Sequence, residues 1–165
     1  MDFSTVDAIK ANGFEGFLSI QNLSEKKCRQ IPETQGVYMV LCLEQERPQF
    51  IHPGTGGFYK NKNPNVATAI LQKNWVDNSV VLYIGKAGGT KCKTSLKKRI
   101  QTYLKFGRGK KVAHQGGRFI WQLEGAENLL FCWKTTTIDA QEVEQSLIDS
   151  FVEQYNQMPF ANHRR

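Results

Sequence analysis

The spacing of apolar residues changes several times along the chain, and each change marks an element. The run GVYMVLCL, residues 36–43, is rich in β-formers and lies between Pro32 and the turn-prone ERP, which predicts a buried strand. VVLYIG, 80–85, predicts a second strand and NLLFCWKTT, 128–136, a third. In TSLKKRIQTYLKF, 94–106, the apolar residues Leu96, Ile100, Tyr103 and Leu104 recur at helical spacing instead, with Thr94 or Ser95 available as N-cap and Gly107 as the stop. A last helix is expected from near Asp139 through AQEVEQSLIDSFVEQY. Its apolar stripe is Val143, Leu147, Ile148, Phe151 and Val152, and Pro159 follows its end.

Two further segments carry weaker patterns. Residues 1–35 hold two helical signals, Ser4 before TVDAIKAN and Ser24 with Glu25 before KKCRQ, separated by Gly13 and Gly16, and they are expected to form an N-terminal helical brace. Residues 44–79 contain PGTGG, NKNPN and the amphipathic stretch VATAILQKNW, the marks of an insertion with its own helix rather than a hairpin turn. The order β-insert-β-α-β-α predicts an α+β fold, with a small three-stranded central sheet flanked by helices and a single domain over residues 1–165. That length buries a core without disulfides or a structural metal.

Composition narrows the classes. Neither an apolar run of 18 residues nor a basic, then apolar, N-terminus occurs, so no membrane partner and no signal peptide are expected. Cys28, Cys42, Cys92 and Cys132 form no C-x-x-C pair and read as free thiols in a reducing cytoplasm. The net charge of +7 is concentrated: Lys86, Lys91, Lys93, Lys97, Lys98, Arg99, Lys105, Arg108, Lys110, Lys111 and Arg118 are half of all Lys and Arg, and no acid occurs between Asp77 and Glu124. A surface that neutralises a phosphate backbone needs such a tract, and DNA, duplex or structured, is the expected partner. A solvated basic loop would give the same run, so charge alone does not decide. The glycine groups GTGG and GKAGG continue neither as a P-loop nor as a dinucleotide fingerprint, and no nucleotide cofactor is expected. His114, in KKVAHQGGR, reads as a surface residue of a loop, and His52 and His163 lack partners at metal-ligand spacing.

Tyr38 and Tyr83 stand in neighbouring strand candidates, each within two residues of a glycine, Gly36 and Gly85, that permits close approach. A lone strand tyrosine is usually core; these two come with Leu96-Lys97-Lys98-Arg99 and Glu144 followed by Leu147-Ile148 on helices, and then Pro159-Phe160-Ala161-Asn162. Together GVY, YIGK, L-x-x-R, E-x-x-L-I and P-x-x-N, in that order over residues 36–162, resemble the GIY-YIG endonuclease family. The resemblance implies a three-stranded sheet and single-metal hydrolysis of phosphodiesters. Tyr38 and Tyr83 would line the catalytic face, Arg99 would bind the scissile phosphate, Glu144 would ligate the metal and Asn162 would hold the site together. Lys86 and Tyr103 match residues of the repair-incision members. The chain departs from the family in the long gap between the two tyrosines and in GGTKCKT, which lengthens the path from YIG to the helix.

The residue chemistry fits that assignment. Phosphodiester hydrolysis requires neutralised charge, an activated water and a stabilised leaving oxygen. A guanidinium on a helix suits the first, and one carboxylate with waters and a substrate phosphate is a common way to hold one Mg²⁺ or Mn²⁺. A phenol serves as base only if a cation lowers its pKa; Tyr38 is the expected base, with Lys86 as that cation. The expected function is therefore a divalent-metal-dependent endodeoxyribonuclease, the alternative a catalytically silent nucleic-acid-binding module on the same scaffold. Restriction, repair and mobile-element roles all fit, as does either oligomeric state; Asn61, Asn63, Asn65 and Gln72 are candidate base-edge readers.

Overall fold

Strand β2 (Gly36–Leu41) is buried at every position, and the reason is its central place in the sheet. It pairs antiparallel on one side with β3 (Val81–Ala87) and on the other with β4 (Leu130–Thr135), and β4 pairs in turn with β1 (Glu15–Ser19). The computed structural model, which describes residues 1–44, 46–90, 92–114 and 116–163, is thus α+β with a four-stranded antiparallel sheet in the order β1-β4-β2-β3. Lys91, in the basic tract, lies outside the described residues.

The sheet has one strand more than the sequence pattern predicts, and it comes from the segment read as a purely helical brace. Strand β1 carries a bulge between Gly16 and Leu18, with Phe17 at φ 51°, so its side chains do not alternate in the period of two that reveals a strand. Gly16, at φ +98°, lies flat beneath the indole of Trp133, where a Cβ would clash. The two helices around β1 also begin elsewhere than expected. Helix α1 (Val6–Ala11) is capped by Thr5, whose hydroxyl accepts from Ala8 N at 3.2 Å, and α2 (Ile20–Glu25) is capped by Ser19, which accepts from Asn22 N at 3.1 Å. Ser24 therefore sits inside α2, and KKCRQ turns away from it, with Lys27 and Cys28 at φ 52° and 56°.

The other elements lie close to their expected bounds. Helix α4 (Leu96–Gly107) is capped by Ser95, and α5 (Ala140–Tyr155) by Asp139, whose second carboxylate oxygen also accepts from Thr90 N at 3.0 Å and so ties the β3–α4 connection to the start of α5. The insertion carries one α-helix, α3 (Thr68–Asn74), and docks through buried Gln122, which donates to Ile51 O and Val66 O and accepts from Val66 N. Asn65 and Asn63 are engaged inside the insertion, since Asn65 Oδ1 accepts from Gly54 N and Asn63 Oδ1 accepts from Asn65.

Core lies on both faces of the sheet. Tyr38 and Val40 point to the side covered by α4, with Leu96, Ile100, Tyr103, Leu104 and Phe106, and by the 3-10 turn Arg118–Gln122. Val37, Met39 and Leu41 point to the side covered by α1 and α5, with Ile9, Ile148 and Phe151. Each such large side chain contributes about 1.5–3 kcal/mol on burial, which makes the amphipathic faces of α4 and α5 the main reason these helices stay docked. No helix among the described residues is long and apolar enough to cross a membrane, and all four cysteines are free.

Candidate active site

Register decides which side chains meet. Tyr38 pairs with Gly85 across β2 and β3, and Tyr83 pairs with Val40, so Tyr38, Gly85 and Tyr83 share one face of the sheet. Gly85 has no side chain to obstruct the Tyr38 ring: a Cβ there would lie 2.6 Å from Tyr38 Cζ, 2.7 Å from its hydroxyl oxygen and 2.9 Å from Tyr83 Cε1. The phenol rings consequently stand 6.0 Å apart, centroid to centroid, and Tyr103 of α4 adds a third at 5.7 Å from Tyr83. Gly85→Ala is expected to cost about 1–3 kcal/mol by overpacking this contact. Thermal melting checks it, and an unchanged midpoint would show that the rings have room to move.

Behind the tyrosines lies His114, 1% exposed, a place its sequence did not suggest. It is not on the surface because it stacks on Tyr103 at 4.1 Å and meets the Tyr38 hydroxyl with Nε2 at 3.4 Å. Its Nδ1 lies 2.9 Å from Gly116 O, which only accepts, so Nδ1 carries a proton. Burial, and then the positive charge of Arg99, push its pKa down to about 3, so the ring is neutral and Nε2 is free to accept from Tyr38. Tyr103 donates to Gly117 O at 2.6 Å.

In front of the tyrosines a cleft of about 600 Å³ opens, lined by Lys62, Tyr83, Gly116, Arg118, Glu144 and Asn162 among others. Helix α5 packs along β3, and this brings Glu144 to the same cleft as Tyr83. Burial draws the Glu144 carboxyl towards its neutral form, against the opposing charges of Lys86 and Arg99. Among the described residues Glu144 forms no ion pair; the one salt bridge is Lys97 with Glu33 at 2.6 Å. Arg99 is half-buried beside Tyr38 and Tyr83, and its Nε is buried without a hydrogen-bond partner. The cations on the cleft wall itself are Lys62, from the insertion, and Arg118, whose guanidinium lies 5.7 Å from the Phe119 ring centroid. Lys62 was not singled out from the sequence, where nothing marks it within NKNPN.

Two residues stand apart from the roles expected for them. Tyr38 is 0% exposed and does not line the cleft, and burial raises its pKa despite Arg99 nearby. Lys86 donates to Gln141 Oε1 at 3.2 Å, and its charge opposes the effect of burial on the Glu144 carboxyl. Three residues from Tyr83 on a strand, it falls on the opposite face. Tyr83 too is raised well above the ordinary phenol, by burial first and by Tyr38 next.

Asn162 is placed by hydrogen bonds to the backbone. Its Oδ1 accepts from Ile84 N and its Nδ2 donates to Ile84 O, both at 2.9 Å, while Ala161 N donates to Leu82 O at 2.8 Å. The segment Ala161–Asn162 thus covers the outer edge of β3 at Leu82 and Ile84, on either side of Tyr83. Of the basic tract, Lys93, Lys98, Lys105, Arg108, Lys110 and Lys111 are exposed.

No model of a known protein family, no curated protein and no solved structure matches the chain.

Proposed function

We propose that this chain is a divalent-metal-dependent endonuclease that hydrolyses DNA phosphodiesters, of the GIY-YIG type its motifs resemble. The observation that carries the reading is the single cleft shared by Tyr83, Glu144, Lys62 and Arg118, which combines a hydroxyl, a carboxylate and two cations around a volume large enough for a phosphodiester. Two cations facing one carboxylate suit an anionic substrate that brings its own negative charge.

Glu144 fits a hard cation. It is a half-buried carboxylate on an open cleft, it forms no ion pair among the described residues, and one oxygen-bearing side chain leaves room for the waters that Mg²⁺ or Mn²⁺ retains. Such an ion, when bound, supplies Lewis acidity that stabilises the leaving oxygen. The chain's own residues do the rest. Arg118 and Lys62 draw the phosphate into the cleft, and Arg99, set behind Tyr83, adds a fixed positive potential as charge develops. Tyr83, protonated at neutral pH, enters as a neutral hydroxyl on the cleft wall that would orient the attacking water by hydrogen bonding. Tyr83 rather than Tyr38 takes the water-orienting role because, of the two, only Tyr83 lines that cleft; the water's proton passes to a phosphate oxygen or to solvent, and the departing oxygen is protonated from solvent. Exposed Lys93, Lys98, Lys105, Arg108, Lys110 and Lys111 support binding of the flanking duplex.

The same lysines and arginine favour the alternative of a binding module that does not cut. Purified protein incubated with supercoiled plasmid and Mg²⁺, Mn²⁺ or EDTA separates the two. Nicked or linear product only in the metal lanes is the expected result; retarded plasmid that stays supercoiled in every lane would leave the binding module.

A further inference from the structure

We infer that the turn from Phe58 to Lys62 in the insertion is a base-stacking contact beside the cleft, on which Phe58 receives an unpaired DNA base while Lys60 and Lys62 hold the neighbouring phosphates. The inference rests on the nuclease reading for what lies in the cleft, and it names the substrate class: DNA with a base already out of its stack. Phe58 is 47% exposed, and no aromatic ring of the described residues stacks on it. A lone exposed phenylalanine is ordinary on a protein surface; this one is set apart by how it is presented and by what surrounds it. Gly56 and Gly57 seat the loop against the end of α4. A Cβ on Gly56 would lie 3.0 Å from the Phe106 ring and 3.2 Å from Pro64, and one on Gly57 would overlap Lys110 O. Gly57 N donates to Phe106 O at 2.9 Å, and beyond the turn Asn65 Oδ1 accepts from Gly54 N at 2.7 Å, so the loop is tied down on both sides. With Gly56 and Gly57 buried, Phe58 is the first residue left outside.

The 3-10 turn Tyr59–Asn61 then carries Lys60 and Asn61 at φ 50° and 56°, left-handed values that lysine seldom adopts, and closes with Lys62 N donating to Tyr59 O at 3.0 Å. The turn delivers Lys62 to the cleft wall. Four residues span at most about 14 Å, or about four base-pair rises, so a base on Phe58 lies within a few nucleotides of a phosphate in the cleft. Charge selects the occupant. Asp77 is the one acid between Glu46 and Glu124 in the sequence, and exposed Lys110 and Lys111 stand where the loop meets the end of α4. The Lys60 ammonium lies 5.6 Å from the Tyr59 ring centroid and covers that ring, whereas Phe58 keeps its face open. An apolar anchor of a protein partner would meet an unopposed positive field here; a nucleic acid supplies both the flat ring for Phe58 and the phosphates for the lysines. A paired base reaches Phe58 only by leaving its neighbours, and that costs least where it is already unpaired.

Equilibrium binding in EDTA of a fully paired duplex, and of the same duplex with a short unpaired loop, tests the inference without any cutting. Wild type is expected to bind the looped duplex about 5–100-fold more tightly than the paired one. Phe58→Ala is expected to lose that preference while its affinity for the paired duplex stays within about twofold. Phe58→Trp, which keeps a ring, should retain the preference; Phe58→Leu, apolar without a ring face, should lose it. Lys60→Ala is expected to weaken both duplexes alike and to reduce the salt slope by about one. Because Phe58 is half exposed, its alanine variant should melt within about two degrees of wild type, which keeps folding out of the comparison. No preference in the wild type, a preference that survives Phe58→Ala, or an equal loss on both duplexes would overturn the inference. So would unchanged DNA binding by Phe58→Ala together with the splitting of a wild-type dimer, which would assign the ring to a second copy of the chain. Repeating the series in Mg²⁺ separates the two readings. A preference that depends on Phe58 with no cutting by wild type would fail the nuclease reading and leave the base contact standing; cutting of both duplexes at one rate by wild type and Phe58→Ala would do the reverse.

Discussion

Glu144→Gln is expected to reduce plasmid nicking at least about a thousandfold while duplex affinity stays within about threefold. Glutamine keeps the volume and one carbonyl oxygen, so α5 is expected to stay docked on the sheet through Ile148 and Phe151, which are unchanged. What is lost is the formal negative charge of the one acidic side chain that lines the cleft among the described residues. A hard divalent cation bound through a single carboxylate loses most of its affinity with that charge, and several kcal/mol of barrier lowering go with it. On the proposed function, duplex binding would rest on the exposed cations of the basic tract, which lie on other elements, and removing an anion from a polyanion site is not expected to weaken it. Gel assays with wild type and variant, with filter binding of the same duplex, check both halves. Retained cutting would show that Glu144 holds nothing the reaction needs. Lost cutting together with lost binding would show that the change acts on the fold.

Asn162→Ala is expected to lower stability by about 2–5 kcal/mol, because it strands two buried backbone groups at once. Ile84 N and O both point to the outer edge of β3, away from β2, and the Asn162 amide satisfies both at 2.9 Å. Asn162 is 8% exposed, so water does not readily replace it. For a chain of this size the corresponding fall in melting temperature is about 5–15 °C. Asn162→Asp separates the two bonds: it keeps the acceptor for Ile84 N but sets a carboxylate oxygen against Ile84 O, and it is expected to be at least as damaging as alanine. A melting temperature within about a degree of wild type for either variant would mean that the edge is held by Ala161 alone. Loss of this clamp also frees the strand that carries Tyr83, so activity is expected to fall before the protein melts.

How far the sequence was legible depends on how local each signal is. Period and capping lie within a few residues, and β2, β3, β4, α4 and α5 follow from them, down to the Asp139 cap. Strand β1 escapes because its bulge breaks the alternation, and because its partner is β4, more than a hundred residues away. The candidate site divides in the same way. Tyr83 and Glu144 meet in one cleft because β3 and α5 pack together; from the sequence, their meeting was only what the motif resemblance implies. His114 is placed by contacts with Tyr38, 76 residues away in the chain, and with Tyr103, and nothing within KKVAHQGGR announces them. The one available signal is the Gly116-Gly117 pair, which allows the chain to turn back against the phenols. Lys86 lies on the face of β3 opposite Tyr83, because an odd separation on a strand puts side chains on opposite sides, and a face is read only once the strand is known.

The sheet order β1-β4-β2-β3 also bears on how the chain acquires its structure. Strand β4 is the bridge between β1 and β2, yet it follows β1 by more than a hundred residues, and β2 reaches β3 only across the insertion. None of the three strand pairings is a local hairpin, so each must close a long loop before any ladder bond repays the lost chain entropy. High contact order of this kind places folding in the millisecond-to-second range rather than the microseconds open to helical bundles. While β4 is unpaired, β2 and the apolar stretch of β4 expose edges to other chains, so refolding yield should fall as protein concentration rises.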